Sequence, residues 1–159
     1  MTAKTTSEEK FSFNSSDLAP YQSEYLHGGR LAERWHTQRG HILGNALDAT
    51  VGIINPYISQ ADKGGFHLSI FSAQEFCTEL ILFWMFKKLE LPSKAQEAWM
   101  RKCSCNIHRP IRSHQDINVA MVCNSFRMIN GMAYARASFR VSDEREGLFI
   151  VEQHGGFRY

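Results

Sequence analysis

Residues 80–86, LILFWMF, contain no polar side chain. They sit inside a longer stretch, residues 71–91, that reads as one helix. Seven apolar residues in a row cover every side of a helix, and a helix without a polar stripe is a buried one. The ends of this stretch carry matching signals. Ser72 is a good N-cap, and Glu75 falls three residues later, where a reciprocal capping box needs it. Phe71 and Phe76 occupy the two positions of a hydrophobic staple. Lys87 and Lys88 suit the negative end of the helix dipole. Pro92 stops the helix, because the residue before a proline avoids the α region. The apolar run is far shorter than the roughly 20 residues a bilayer span requires, so no membrane span is expected. The rest of the chain must therefore wrap this helix.

At 159 residues the chain is long enough for one domain with a sizeable core. Residues 1–16 are rich in Ser, Thr, Lys and Glu and read as a disordered tail, which leaves residues 17–159 as a single domain. The formal net charge is +2 with 21% charged residues. No basic stripe interleaved with aromatics is present, so nucleic acid is not an expected partner. The first residues lack the continuous apolar segment of a secretory signal, which favours the cytoplasm and reduced thiols. Cys103 and Cys105 form a C-x-C pair, with Cys77 and Cys123 distant in sequence. Zinc sites use two closely spaced pairs. Residues i and i+2 of a strand share a face, so this pair is expected to point into the core, and no metal is expected.

The remaining segments read mostly as strands. Gly28 and Gly29 break the chain before residues 30–39, which suit either a short helix or an edge strand. Residues 41–59 are rich in Ile, Val and Leu, with Gly44 and Gly52 interrupting them and Asp48-Ala49-Thr50 as a turn between two strands. Asn55-Pro56 marks a further break, and Asp62-Lys63-Gly64-Gly65 a turn. Residues 66–70 lead into the helix as a short extended piece. After the helix, residues 99–111 are strand-like, with Pro110 marking an end, an edge or a bulge. Residues 117–128 form the next strand, and Asn130-Gly131 is a strong hairpin signal. Ala133, Ala135, Ala137, Phe139 and Val141 then alternate with polar residues, a period of two. Residues 143–147 turn the chain and 148–151 return as a last strand. The small alanines leave room for the bulky helix. This order predicts an α+β chain in which a curved antiparallel sheet wraps one long central helix, the hotdog architecture. An open α+β sandwich without ligand function is the alternative.

None of the usual nucleophile, nucleotide, metalloprotease or dinucleotide motifs occurs, and no cofactor is expected. A site must then come from position. A helix start offers free backbone N–H groups and a positive dipole end, which can hold a thioester carbonyl as its oxygen gains charge. Ser72, Ala73, Gln74 and Glu75 build that turn. Gln74 is suited to orient a water or hold a carbonyl, and Glu75 to act as a base, although capping alone also explains Glu75. His67 is a candidate acid or base or a hydrogen-bonded structural histidine. Tyr57 suits a pocket wall or the core. Arg109 suits a phosphate of coenzyme A or of a phosphopantetheine arm, or solvent. Arg127, Arg136 and Arg140 read as a solvated sheet face.

Three stretches resemble the FcoT-like family of acyl thioester enzymes, which carry one hotdog domain per chain. Leu18-Ala19-Pro20-Tyr21 is similar to the family's L-x-P-Y segment. Glu79-Leu80-Ile81-Leu82 resembles its E-L-I-L run. Residues 100–111, MRKCSCNIHRPI, resemble its R-K-x-S strand ending in basic-Pro-aliphatic. The resemblance covers about a third of the chain. It implies a fatty acyl or enoyl thioester substrate on coenzyme A or acyl carrier protein, most simply hydrolysed. Relatives in isonitrile lipopeptide natural-product pathways instead add glycine to a carrier-bound enoyl chain, and a dehydratase or a non-catalytic acyl-binding module are further alternatives. The family's tyrosine and polar amide match Tyr21 and Gln74, although an Asn is frequent at the second position. Its second tyrosine falls near Phe66 and His67. Phe66 has no hydroxyl, so that role is lost or passes to His67, with Phe66 left to line the pocket. Hotdog domains generally pair their sheets, which implies a homo-oligomer, dimer or higher.

Overall fold

The computed structural model describes residues 12, 14–23, 25–58, 64–93 and 97–159. The elements run in the order α1 (Ser15–Leu18), a 3₁₀ turn (Ala19–Tyr21), a π-helical turn (Tyr25–Gly29), α2 (Arg30–Ala32), β1 (Arg34–Leu43), β2 (Ala46–Ile54), α3 (Ile70–Lys88), β3 (Ala98–Arg109), β4 (Ile117–Ile129), β5 (Met132–Ser142) and β6 (Leu148–Arg158). The six strands form one antiparallel sheet in the order β1-β2-β4-β5-β6-β3. Helix α3 packs against both edge strands, β1 and β3, as well as β4, β5 and β6. Neighbouring strands stand about 4.8 Å apart, so the edges of a flat six-stranded sheet would lie roughly 24 Å from each other. That is about twice a helix diameter. One helix touching both edges requires the sheet to curl around it. This is the hotdog arrangement.

The alternation in β5 does what its period demands. Ala133, Ala135, Ala137, Phe139 and Val141 are each no more than 1% exposed. The alanines leave depth for Phe76 and Trp84 of α3, which are equally buried. The Trp84 indole N–H donates to the Gly44 carbonyl at 3.1 Å, tying the helix to the β1–β2 turn. Asn130 (φ 50°) and Gly131 (φ 72°) make the β4–β5 hairpin, as a turn with two positive φ values requires. Among the described residues no helix is long and apolar enough to cross a membrane.

The helix starts earlier than its sequence signals imply. Its N-cap is Ser69, whose hydroxyl accepts the Ser72 N–H at 3.1 Å. Ser72 is inside the first turn and buried, with its own hydroxyl donating to Glu33 at 2.7 Å. Two serines three residues apart both satisfy the capping preference, and the buried carboxylate takes one of them. Glu75 closes no capping box with Ser72; it pairs with Arg30. Phe71 is 40% exposed, outside any staple.

Nor is α3 enclosed on all sides. Ser72, Ala73, Phe76, Cys77, Leu80, Ile81, Trp84 and Met85 are buried. Phe71, Glu75, Glu79, Phe83 and Lys87, at every fourth position, form an exposed stripe. Phe83 is 49% exposed. The curled sheet stops short of closure, and the stripe lies in the gap between its edges.

Other boundaries also differ. Asp48-Ala49-Thr50 lies within β2, and the turn is at Gly44 (φ 60°) and Asn45. Residues 30–39 hold both α2 and the start of the edge strand β1. Residues 65–69 form no strand, although the Leu68 N–H donates to the Ile111 carbonyl at 2.9 Å. Strand β6 runs on to Arg158 through Gly155-Gly156. A Cβ on Gly155 would lie 2.5 Å from the Trp99 carbonyl oxygen, so glycine is what lets β3 and β6 approach there. Helix α1, capped by Asn14, straddles the expected boundary at residue 16. Residues 1–11 of the expected tail and Asp62-Lys63 of the expected turn lie outside the described residues.

Candidate functional site

Three hollows open along the exposed stripe of α3. The first, about 390 Å³, lies between the helix and strands β3 and β6. It begins at Gln74 and Glu75 and passes Ile81 and Leu82 to Met85, walled across from the helix by Trp99 and Met100. The second, about 670 Å³, lies between the helix and β1, with Ile42, Leu47, Leu80 and Phe83 in its walls. The third, about 570 Å³, lies at the helix start beside Arg30, Glu33 and Arg34. Trp35 and Glu79 line all three. Volumes of this order are those of small-molecule pockets. The Trp35 ring is held edge-on against Phe76, with centroids 6.1 Å apart.

The polar groups gather at the helix start. The side-chain amide of half-buried Gln74 reaches across the first hollow to the Met100 sulfur at 3.3 Å. Glu75 is exposed and ion-paired with Arg30, whose guanidinium also lies 5.3 Å over the Phe71 ring. Behind them sits a carboxylate, Glu33, only 7% exposed. It accepts from the Tyr25 hydroxyl at 3.1 Å, the Ser72 hydroxyl at 2.7 Å and the Tyr57 N–H at 3.2 Å. The Tyr25 hydroxyl also lies 2.5 Å from the Ser69 hydroxyl. Burial is the main cause that raises the Tyr25 pKa, so its hydroxyl keeps its proton and remains a donor. The four thiols are likewise raised, chiefly by burial, Cys77 most strongly. Cys103 and Cys105 pack against the core on the same face of β3.

The arrangement brings some expected site residues together and separates others. Gln74 and Glu75 line the first hollow. Ser72 and Tyr57 belong to the Glu33 cluster, and Ala73 and Phe66 are buried in the core. Tyr21 is 86% exposed on its 3₁₀ turn. His67 and Arg109 are exposed, and Arg109 pairs with Glu146. Tyr21, His67 and Arg109 line none of the three hollows. Glu33, Trp35, Glu79, Trp99 and Met100 were not singled out as site residues by sequence reasoning. The aromatics Tyr25 and Trp35 flanking the Gly28-Gly29 break were the one local signal for this region.

Of the three stretches that carry the family resemblance, Leu18–Tyr21 is an exposed turn, Glu79–Leu82 faces the hollows, and residues 100–111 span most of the edge strand β3. No family model matches the chain, and no curated protein matches it in sequence. Solved structures do match. A protein from Lactococcus lactis, provisionally named a thioesterase, aligns at 11% identity and TM-score 0.48, covering 82% of this chain and 97% of its own. A mutant thioesterase from Pseudomonas aeruginosa aligns at 14% identity and TM-score 0.46, with 92% and 95% covered. A hypothetical thioesterase from Streptococcus pneumoniae, solved with coenzyme A, aligns at 10% identity and TM-score 0.44, with 79% and 92% covered.

Proposed function

We propose that this protein acts on a fatty acyl thioester, most simply by hydrolysis, with the acyl chain lying along α3. The observation that carries this reading is the lining of the first hollow. Gln74 and Glu75 stand at its end nearer the helix start, and Ile81, Leu82 and Met85 of the helix face Trp99 and Met100 along an apolar strip that Thr78, Glu79 and Glu97 border. The eleven steps from Gln74 to Met85 correspond to roughly 16 Å of helix. An extended acyl chain fits such a slot with its thioester at the Gln74 end.

In this reading the Gln74 side-chain amide, one turn from the positive end of α3, stabilises the carbonyl oxygen as water adds to the carbonyl carbon. Gln74 orients that water. The neighbouring carboxylate, Glu75, takes the water proton once it leaves Arg30. The carbon–sulfur bond then breaks, and the thiol leaves with a proton while the acyl chain leaves as a carboxylic acid. The carrier is coenzyme A or an acyl carrier protein.

The test is thiol release from short, medium and long acyl-CoA, followed with a thiol-reactive chromophore. Saturable release that depends on chain length is expected. A second reading, a non-catalytic acyl-binding module, is favoured by the ion pair that occupies Glu75. Saturable binding of a fluorescent acyl probe, with no thiol release from any acyl-CoA or acyl carrier protein, would establish that reading and overturn the first.

A further inference from the structure

We propose that Glu33 is a positioning residue, clamping the start of α3 to the segment before β1 and to the chain after β2, and so holding the helix start and Trp35 in register for the substrate. The final step of this proposal rests on the acyl thioester reading above.

One carboxylate here joins partners 8, 24 and 39 positions away in sequence: Tyr25, Tyr57 and Ser72. A buried carboxylate is costly unless donors surround it, and three donors do so next to the positive end of a 19-residue helix. The cluster closes on itself. The Tyr25 hydroxyl contacts Ser69 as well as Glu33, and the Ser69 hydroxyl lies 3.2 Å from that of Ser72. The N-cap and the third residue of α3 are thus both tied to Glu33, directly or through Tyr25.

Packing reinforces the hydrogen bonds. The Tyr25 and Tyr57 rings lie 5.5 Å apart. The Glu33 N–H donates to the Gly29 carbonyl at 3.0 Å, folding the segment back on itself. Gly29 lets the Tyr57 ring lie directly on that segment, since an added Cβ would collide with it. Two residues beyond Glu33, the Trp35 ring walls all three hollows. A shift of the clamp therefore moves the helix start and the groove wall together. Ser69 and Ser72 are spent on the clamp, which leaves the Ile70 and Phe71 amides as the first-turn donors without an intrahelical acceptor.

The experiment compares wild type, Glu33→Gln and Tyr25→Phe by backbone hydrogen exchange and by medium-chain acyl-CoA turnover. Glu33→Gln keeps the side-chain shape but offers one acceptor oxygen where three donors converge. Exchange in residues 25–33 and 70–73 is expected to rise roughly tenfold or more, with β4 and β5 unchanged. In the same variant kcat is expected to fall at least about tenfold with KM unchanged. Tyr25→Phe, which deletes one hydroxyl, should move both readouts in the same direction and add little to Glu33→Gln in the double variant. It also carries the test if Glu33→Gln does not fold. Wild-type exchange in a folded variant overturns the clamp. Raised exchange with unchanged kcat overturns the positioning role. If the wild type turns over no acyl thioester, the reading of function fails, and the exchange data alone decide whether the clamp exists.

Discussion

The side-chain amide of Gln153, on β6, donates to the backbone carbonyl of Gln74, on α3, at 3.0 Å. The same amide donates to the Thr78 hydroxyl at 3.1 Å, and that hydroxyl in turn donates to the Gln74 carbonyl at 2.7 Å. Gln153 is 4% exposed, so this is a polar pin through the core. It holds the second turn of the helix on the sheet while the Gln74 side chain points into the groove. Gln153→Leu removes the donor and leaves Thr78 and the carbonyl underserved. A loss of about 1–3 kcal/mol is expected in urea unfolding, and a change within about 0.5 kcal/mol, the scale of ordinary surface substitutions, would show that the pin contributes nothing.

Gln74 itself should behave differently. Its side chain is half-buried, with the Met100 sulfur as its recorded contact. Gln74→Ala is expected to change stability by less than about 1 kcal/mol. Turnover of acyl thioesters should fall at least about tenfold, or 1.4 kcal/mol of barrier. Normal turnover would remove Gln74 from the site. Tyr21→Phe, at a residue 86% exposed, is expected to leave the melting temperature unchanged, and its turnover tests the family resemblance separately.

The exposed stripe of α3 bears on assembly. Glu79 and Lys87 stand four residues either side of Phe83. Two copies paired antiparallel about Phe83 would bring Glu79 of each copy toward Lys87 of the other, as a two-fold interface requires. A homodimer is expected by light scattering at micromolar concentration, with Phe83→Glu shifting it to monomer. A clean wild-type monomer would rule the pairing out.

Asp143 sets an acid limit. Burial by itself would raise its pKa, but four backbone N–H groups, of Ser113, Arg112, Gly147 and Arg145, outweigh burial and leave it below the usual range. The shortest recorded of these bonds, from Arg112 and Gly147, are 2.7 Å. Because the folded-state value lies below the unfolded one, its stabilisation is complete above about pH 4 and is lost as pH falls through the folded value. Asp143→Asn is therefore expected to destabilise the protein at pH 7 by about 1–3 kcal/mol. The gap from wild type should narrow in acid. A gap that stays constant from pH 7 down to acid unfolding would mean that charge plays no part.

How much of this was legible depended on how local each signal was. The alternation from Ala133 to Val141 and the Asn130-Gly131 turn are written in adjacent residues, and both were read correctly. The helix was legible from its apolar run, but its start was not. Ser69 and Ser72 are equally good caps, and the choice is made by Glu33, 39 positions away. The same run hid the exposed stripe, because Phe83 carries no polar atom to mark a face left open by the sheet. Gln74 and Glu75 stand out as candidates because they lie close to the helix start in sequence, and both line the first hollow. Trp35 and Met100 reach that hollow only once β1 and β3 curl round to it, and Glu33 meets Ser72 only through the same folding.

The row of alanines on β5 has a consequence for selectivity. Ala133, Ala135 and Ala137 are the floor on which α3 rests. Close-packed interiors absorb an added methyl group by moving their neighbours rather than by compression. A valine in that row would act as a shim, lifting the helix toward the open side and shallowing the groove above it. If an acyl chain lies in that groove as proposed, the depth open to it is set partly from beneath, by side chains it does not touch. Two such proteins with identical groove walls could admit substrates of different girth.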